Sequence, residues 1–135
     1  MSNSGWIGVD LDGTLATYTG WLGANHIGEP IAPMVERVKA WIASGKTVKI
    51  FTARVHGHGA PIIGGGVEDV ITPIQDWCEK HIGKRLEVTN VKDFGMIELW
   101  DDRAIQVEVN TGFPVASCYD RKRNVEIRKR TKDLQ

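Results

Sequence analysis

The chain has 135 residues, of which 41% are hydrophobic and 25% are charged. That length and apolar content suit one globular domain with its own core and leave no room for two domains of ordinary size. Seventeen basic residues balance seventeen acidic ones, so the overall charge favours neither nucleic acid nor a membrane surface as a partner. No apolar run approaches the ~20 residues that span a bilayer. We therefore expect a single soluble, cytoplasmic domain over residues 1–135 with no membrane partner.

Strands and helices are predicted to alternate along the first half of the chain. The apolar segment Trp6–Val9 predicts a buried strand, and the β-branched and aromatic residues of 46–52 predict a second. Between them, apolar residues recur at helical spacing over 33–45, with Pro33 in the first turn. A second helix is predicted over 68–82, where Pro73 is again acceptable in the first turn. This alternation predicts an α/β fold with a mainly parallel sheet covered by helices.

Three further strands are predicted in the second half of the chain. They cover residues 86–89, 96–100 and 104–109. The segment 55–66, which precedes the second helix, contains five glycines, one proline and two histidines without any period. A loop of that length and composition is typically functional or mobile.

Polar groups follow four of the predicted strands. In chain order they are Asp10 with Asp12, Thr52 with Arg54, Lys92, and Asp101 with Asp102. Ligands of open α/β sheets bind beyond the carboxyl ends of the strands, so neighbouring strands would bring these groups together. Crowded carboxylates repel one another, and Mg²⁺, a hard cation that prefers oxygen ligands, would relieve that repulsion.

These residues match four motifs of one known family, in that family's order. The run Asp-Leu-Asp-Gly-Thr-Leu that begins at Asp10 resembles the nucleophile loop of the haloacid dehalogenase-like superfamily. Thr52 in Phe-Thr-Ala-Arg is similar to the second motif, Lys92 to the third, and Asp101-Asp102 to the fourth. The resemblance covers roughly residues 6–109 and implies a Rossmann-like three-layer sandwich.

The resemblance also bears on substrate access. Residues 14–33 and 55–66 stand where this superfamily inserts cap domains, and neither segment is long enough for a folded cap. The chain is therefore most similar to members with a minimal cap or none, including polynucleotide 3'-phosphatase domains. An open site suits a large substrate such as a nucleic acid end, unless a second copy of the chain closes it over a small one.

The two aspartates of the first motif receive different roles from the resemblance. Asp10 would be the nucleophile that forms an aspartyl-phosphate. Asp12 would protonate the leaving group and then deprotonate the attacking water. The family's dehalogenases lack this second aspartate and its ion-pumping ATPases carry threonine there, so Asp12 indicates phosphoester hydrolysis or phosphoryl transfer.

The remaining motifs would bind phosphate and metal. Thr52, Lys92 and the backbone amides of 11–13, including Leu11 and Gly13, would stabilise the charge on the phosphoryl group. Thr14 would brace the loop.

The resemblance gives Mg²⁺ as the cofactor. Its ligands would be a carboxylate oxygen of Asp10, the backbone carbonyl of Asp12, and Asp101 or Asp102.

We therefore expect a Mg²⁺-dependent phosphomonoester hydrolase acting on a nucleotide, a sugar phosphate or a nucleic acid end. Two alternatives stay open: a phosphotransferase, and a phosphate-binding regulatory protein that keeps the fold without turnover.

Several residues have two interpretations at this point. Arg54 resembles the arginine of the Ser/Thr-x-Arg sequence in polynucleotide phosphatase domains, and it is either a substrate-phosphate contact or a surface residue. Trp21 either packs or stacks on a ring of the substrate. For His56 and His58, a solvated loop is the preferred interpretation over a metal or substrate contact. For the basic residues of 121–132, a solvated face is preferred over a nucleic acid contact.

Overall fold

The computed structural model describes residues 5–55 and 69–115. The chain divides into two compact units, residues 1–102 and residues 103–135, and all four sequence motifs belong to the first. A single domain over the whole chain stays a prediction.

The first unit contains a four-stranded, all-parallel sheet. Its strands are β1 (Trp6–Val9), β2 (Thr47–Phe51), β3 (Val88–Thr89) and β4 (Met96–Trp100), in the spatial order β3-β2-β1-β4. The chain runs outward from β1 through β2 to β3 and then crosses back to form β4 on the other side of β1. The strand order thus reverses between β1 and β4, and the crevice at such a point is where open α/β sheets bind ligands.

Two helices pack on one face of this sheet. They are α1 (Ala32–Ala43), between β1 and β2, and α2 (Ile71–His81), between β2 and β3. Their apolar side chains share one core with those of β1 and β2, a core that includes Ile7, Val9, Val35, Val38, Val48, Ile50, Ile74 and Cys78. The small α/β fold with a parallel sheet is therefore confirmed. The described residues contain no further α-helix, so the third layer of the sandwich stays a prediction.

The helix boundaries follow from proline positions and end signals. Pro33 lies in the first turn of α1, and the chain leaves the helix at Gly45, which adopts a positive φ of 88°. α2 begins at Ile71 rather than at residue 68, because Asp69 Oδ1 accepts the N–H groups of Ile71 and Thr72 at 3.1 Å. That start keeps Pro73 within the first turn. No helix in the described part of the chain is long and apolar enough to cross a membrane.

Two predicted strands differ from the structure. β3 is shorter than the predicted 86–89: Leu86 is buried in the core, and backbone pairing starts at Glu87, whose carbonyl accepts the Ile50 N–H. The fifth strand, predicted over 104–109, is wrong. Within the second unit Val107 forms an isolated antiparallel bridge with Pro114, because the chain turns back at 110–112 and its backbone groups pair locally.

We expect Asp69→Ala to lower the free energy of unfolding by about 1 kcal/mol, because two N–H groups in the first turn of α2 lose their acceptor. Asp69→Asn keeps a side-chain oxygen in the same place and should stay close to wild type. Urea denaturation followed by circular dichroism measures both. Equal losses would show that the carboxylate charge, rather than capping, stabilises this end of the helix.

Candidate functional site

The candidate site begins where β1 and β4 end side by side. Val9 pairs with Trp100, and the N–H of Asp10 donates to the Trp100 carbonyl at 2.9 Å. The Trp100 ring packs against Trp41 of α1, with ring centroids 5.3 Å apart, and the Arg37 guanidinium lies 4.8 Å from its centroid. Because the end of β4 is anchored in this way, the residue after each strand is placed next to the other.

Three of the four predicted carboxylates form a cluster there. One oxygen each from Asp10, Asp101 and Asp102 all lie within 4.8 Å of one another. The side chains of Asp10 and Asp101 are half-buried, whereas Asp102 is exposed. This donor set consists of oxygen alone and carries negative charge, which is the chemistry that Mg²⁺ prefers.

Thr14 and Gly13 join the loop 10–14 to Asp102. The N–H of Asp102 donates to Thr14 Oγ1 at 3.0 Å, and that hydroxyl lies 3.1 Å from Asp102 Oδ1 and 3.5 Å from Asp10 Oδ2. Gly13 has a φ of 91°, and a Cβ atom on it would stand 2.7 Å from Asp102 Oδ2. Glycine is therefore required both for the backbone conformation and for the close approach of Asp102.

Backbone groups of the loop 10–14 hydrogen-bond largely within the loop and to the residues that follow it. The Gly13 N–H donates to the Ala16 carbonyl at 2.8 Å, so in this conformation it is not available to a phosphate. The Leu11 side chain is fully buried in the core, and its carbonyl accepts the N–H groups of residues 14–16. The predicted amide cradle over residues 11–13 is thus reduced by one donor.

The fourth carboxylate, Asp12, is held by Arg54. Arg54 Nε donates to Asp12 Oδ2 at 2.7 Å and Nη2 donates to Oδ1 at 2.8 Å, a two-pronged ion pair in which the arginine side chain is 5% exposed. The guanidinium also donates to the carbonyls of Ala24, at 3.5 Å, and His26, at 3.0 Å. Arg54 is therefore neither a surface residue nor free to bind phosphate with its whole fork in this conformation.

Sequence reasoning missed this ion pair. The available signal was an acidic residue following β1 and a basic residue following β2, which are neighbouring strands. Such a pattern allows a pairing but does not identify which of several carboxylates the arginine takes.

Thr52 follows β2, the strand that pairs with β1. Its side chain is buried, with 2% of the residue exposed, and its hydroxyl oxygen accepts the Arg54 N–H at 3.1 Å. As a donor the hydroxyl makes no hydrogen bond within the described part of the chain. A buried hydroxyl with an unused hydrogen suits an anionic oxygen placed next to it.

Lys92 makes no contact with the cluster in the described part of the chain. It is exposed in the segment between β3 and β4, and across residues 5–55 and 69–115 it makes no hydrogen bond or ion pair. The adjacent Asp93 is fixed instead, because Trp6 Nε1 donates to its Oδ1 at 2.8 Å. The assignment of Lys92 to the phosphate stays a prediction. His56, His58 and the basic residues of 121–132 lie outside the described residues.

The electrostatics of the cluster act mainly on Asp10. Burial raises the pKa of Asp10 to about 7, with further contributions from the charge of Asp101 and from the hydrogen bond and charge of Asp102. A cation bound to these oxygens would replace repulsion with attraction and restore the ionised form.

The site as a whole combines a half-buried carboxylate, an oxygen-rich cluster that could hold a cation, and a buried hydroxyl donor. No family model, curated protein or solved structure matches the chain. Its chemistry and the motif resemblance are therefore the basis for assigning a function.

In metal-free protein we compare the free energies of unfolding of Asp10→Asn and wild type. We expect the difference between them to shift in favour of the variant by about 2 kcal/mol as the pH rises from 4.5 to 8. Folding raises the pKa of Asp10 above its ordinary value of 3.8, so the ionised carboxylate penalises the folded state increasingly until the pH passes about 7. One pKa unit is worth about 1.4 kcal/mol, and solvent screening at this half-buried position reduces the total. Urea denaturation at both pH values measures the effect.

Asp93→Asn is the matched control. The hydrogen bond from Trp6 lowers the pKa of Asp93 below 3.8, so its stabilising effect is lost only as the pH falls below about 4. Its effect on stability should be nearly the same at pH 4.5 and pH 8. A pH-independent effect of Asp10→Asn would mean that burial and the neighbouring carboxylates do not raise the pKa of Asp10.

Proposed function

We propose that this protein is a Mg²⁺-dependent phosphomonoester hydrolase of the haloacid dehalogenase-like superfamily, acting in the cytoplasm through an aspartyl-phosphate on Asp10. The observation that carries the proposal is the cluster of Asp10, Asp101 and Asp102, whose oxygens lie within 4.8 Å at the point where the strand order reverses. The substrate would be a phosphorylated small molecule or a nucleic acid end.

Asp10, Asp101 and Asp102 would hold the cation, together with the backbone carbonyl of Asp12. When bound, Mg²⁺ would neutralise charge on the phosphoryl oxygens and keep Asp10 ionised. The donor set fits this ion because it consists of oxygen alone and is negatively charged.

The proposed reaction has two balanced steps. The cycle starts with Asp10 ionised and with Asp12 carrying a proton on an oxygen lone pair that Arg54 does not use. A carboxylate oxygen of Asp10 attacks phosphorus as the bond to the leaving oxygen breaks, and Asp12 gives that oxygen its proton. Asp12 then takes a proton from water, whose oxygen attacks phosphorus and releases phosphate from Asp10. Thr52 donates its unused hydroxyl hydrogen to a phosphoryl oxygen throughout.

Arg54 would act as a positioning residue for Asp12. Its two hydrogen bonds use one lone pair on each carboxylate oxygen and leave the others available to carry a proton. The fixed fork of the guanidinium holds the plane of the carboxylate in one orientation. Asp12 therefore already has its orientation before the substrate binds.

The exposure of the cluster favours hydrolysis over transfer to another acceptor. Asp102 is exposed, so water reaches the metal side of the site. A phosphotransferase has to exclude water from its intermediate. A regulatory protein without turnover is distinguished from both by the kinetic experiments that follow.

We expect Asp10→Asn to reduce turnover to background for every phosphomonoester, because an amide cannot form the aspartyl-phosphate. Asp12→Asn should slow phosphoenzyme formation far more for alkyl phosphates than for p-nitrophenyl phosphate, by about 10² to 10⁴, since p-nitrophenolate leaves without a proton. Rapid-quench kinetics with Mg²⁺ should also show a burst for Asp12→Asn, because the second step loses its base. Wild-type protein without activity on any phosphomonoester would refute the proposal. Equal losses of Asp12→Asn on both ester types would show that Asp12 is not the group that transfers the proton.

We expect Arg54→Lys to slow alkyl phosphate hydrolysis more than p-nitrophenyl phosphate hydrolysis, because lysine keeps the charge but loses the two-pronged contact with Asp12. Adding Arg54→Lys to Asp12→Asn should cause little further loss, since the arginine acts through that carboxylate. Steady-state kcat/KM values of the single and double variants test this. An equal loss on both esters that persists in the double variant would place Arg54 on the phosphate instead.

A further inference from the structure

Trp21 lies against the candidate site with 54% of its surface exposed. The Arg54 guanidinium carbon stands 4.9 Å from the centroid of its ring, and Arg54 is in turn bound to Asp12. One face of the indole is therefore covered by a cation that is fixed in place. Two successive contacts connect the ring to the proposed acid.

The segment around Trp21 is held at its base and apolar at its tip. Ala16 bridges to Pro30, and Trp77 of α2 donates its ring N–H to the Gly28 carbonyl at 3.0 Å. Between these anchors Tyr18 is 48% exposed and Leu22 is 67% exposed, beside Trp21. A concentration of exposed apolar side chains next to a polar site is typical of a ligand contact.

We propose that Trp21 stacks on the base of the substrate and so selects nucleoside phosphates over phosphomonoesters that lack a ring. The inference rests on the proposed function, in which Asp12 faces the leaving group. Arg54 contacts both Asp12 and Trp21, so the indole lies two side-chain contacts from the group that would protonate the leaving alcohol. In a nucleoside phosphate one sugar separates the phosphate from the base, which brings a planar ring to that side of the site.

The chemistry of the contact favours a base over a sugar. A base offers a flat π-face to the indole, whereas a sugar ring offers only C–H groups and glycerol phosphate offers no ring at all. The stack on Arg54 fixes the ring before the substrate arrives, so little side-chain entropy is lost on binding. Stacking of this kind accepts any base, so the selection concerns the class of substrate rather than its sequence.

The test compares substrates with and without a base. Trp21→Leu should raise KM for adenosine monophosphate by about tenfold, within the ~5- to 150-fold range of a lost base stack, and raise KM for glycerol phosphate much less. Trp21→Phe keeps a ring and should restore most of the preference. Phe113→Leu removes an exposed aromatic residue that lies outside the segment around Trp21, and it should leave the ratio of the two KM values unchanged.

A 3'-phosphorylated oligonucleotide assayed beside the mononucleotide identifies the source of the base. A Trp21-dependent preference for either one supports the inference and assigns the substrate to a nucleic acid end or to a free nucleotide. Equal losses on adenosine monophosphate and glycerol phosphate in Trp21→Leu would overturn it, because Trp21 would then only support Arg54. So would a wild-type protein that does not distinguish the two phosphates.

Calorimetric binding separates failure of this inference from failure of the proposed function. Adenosine monophosphate and glycerol phosphate are titrated into Asp10→Asn protein with and without Trp21→Leu, where no turnover is needed. A Trp21-dependent advantage of the nucleotide would hold even if the wild-type protein hydrolysed nothing. Equal binding of both phosphates, or no binding of the nucleotide, would overturn the stacking contact whatever the activity.

Discussion

Where β1 and β4 lie side by side, the Asp10 N–H donates to the Trp100 carbonyl, and the positions of the clustered carboxylates follow from that bond. The chain reaches this arrangement only because β4 crosses back over the sheet to pair with β1 on its free side. Three negative side chains are then confined to a few ångströms, a state that opposes folding unless a cation compensates it. The packing of Trp100 on Trp41 holds the strand end against this repulsion.

The four carboxylates of the site are held in two ways. Asp12 is paired with Arg54 through two hydrogen bonds, whereas Asp10, Asp101 and Asp102 place their oxygens within 4.8 Å of one another. In the proposed chemistry, a proton-transfer group benefits from a fixed orientation, and a hard cation is bound by grouped carboxylate oxygens.

The fold was predictable to the extent that it depends on local pattern. β1, β2, β4 and both helices follow from hydrophobic spacing, proline and glycine, with boundaries shifted where side chains such as Asp69 cap a helix. The predicted strand at 104–109 has the right composition, yet a turn at 110–112 pairs its backbone locally. Periodicity cannot distinguish these outcomes, because it carries no information about which partner the backbone finds.

The residues that belong to the candidate site were easier to predict from the sequence than the contacts between them. Parallel strands place their ends together, which is why the convergence of Asp10 with Asp101 and Asp102 could be expected from the sequence. The pairing of Arg54 with Asp12 depends on side-chain reach across two strands, and the exposed position of Lys92 depends on the path of an irregular segment. Neither is encoded in a local pattern.

The separation of the paired strands along the chain also orders the events of folding. β1 meets β2 through a short crossover, since Trp6 pairs with Thr47, whereas its pairing with Met96 has to close a loop more than twice as long. Closing the longer loop costs more chain entropy, and contacts between distant segments form late. The carboxylates therefore converge only near the end of folding, after the hydrophobic core between β1, α1 and β2 can already exist. A cation that binds them would slow unfolding without guiding the early steps, and a nascent chain would bring these carboxylates together only once β4 had left the ribosome.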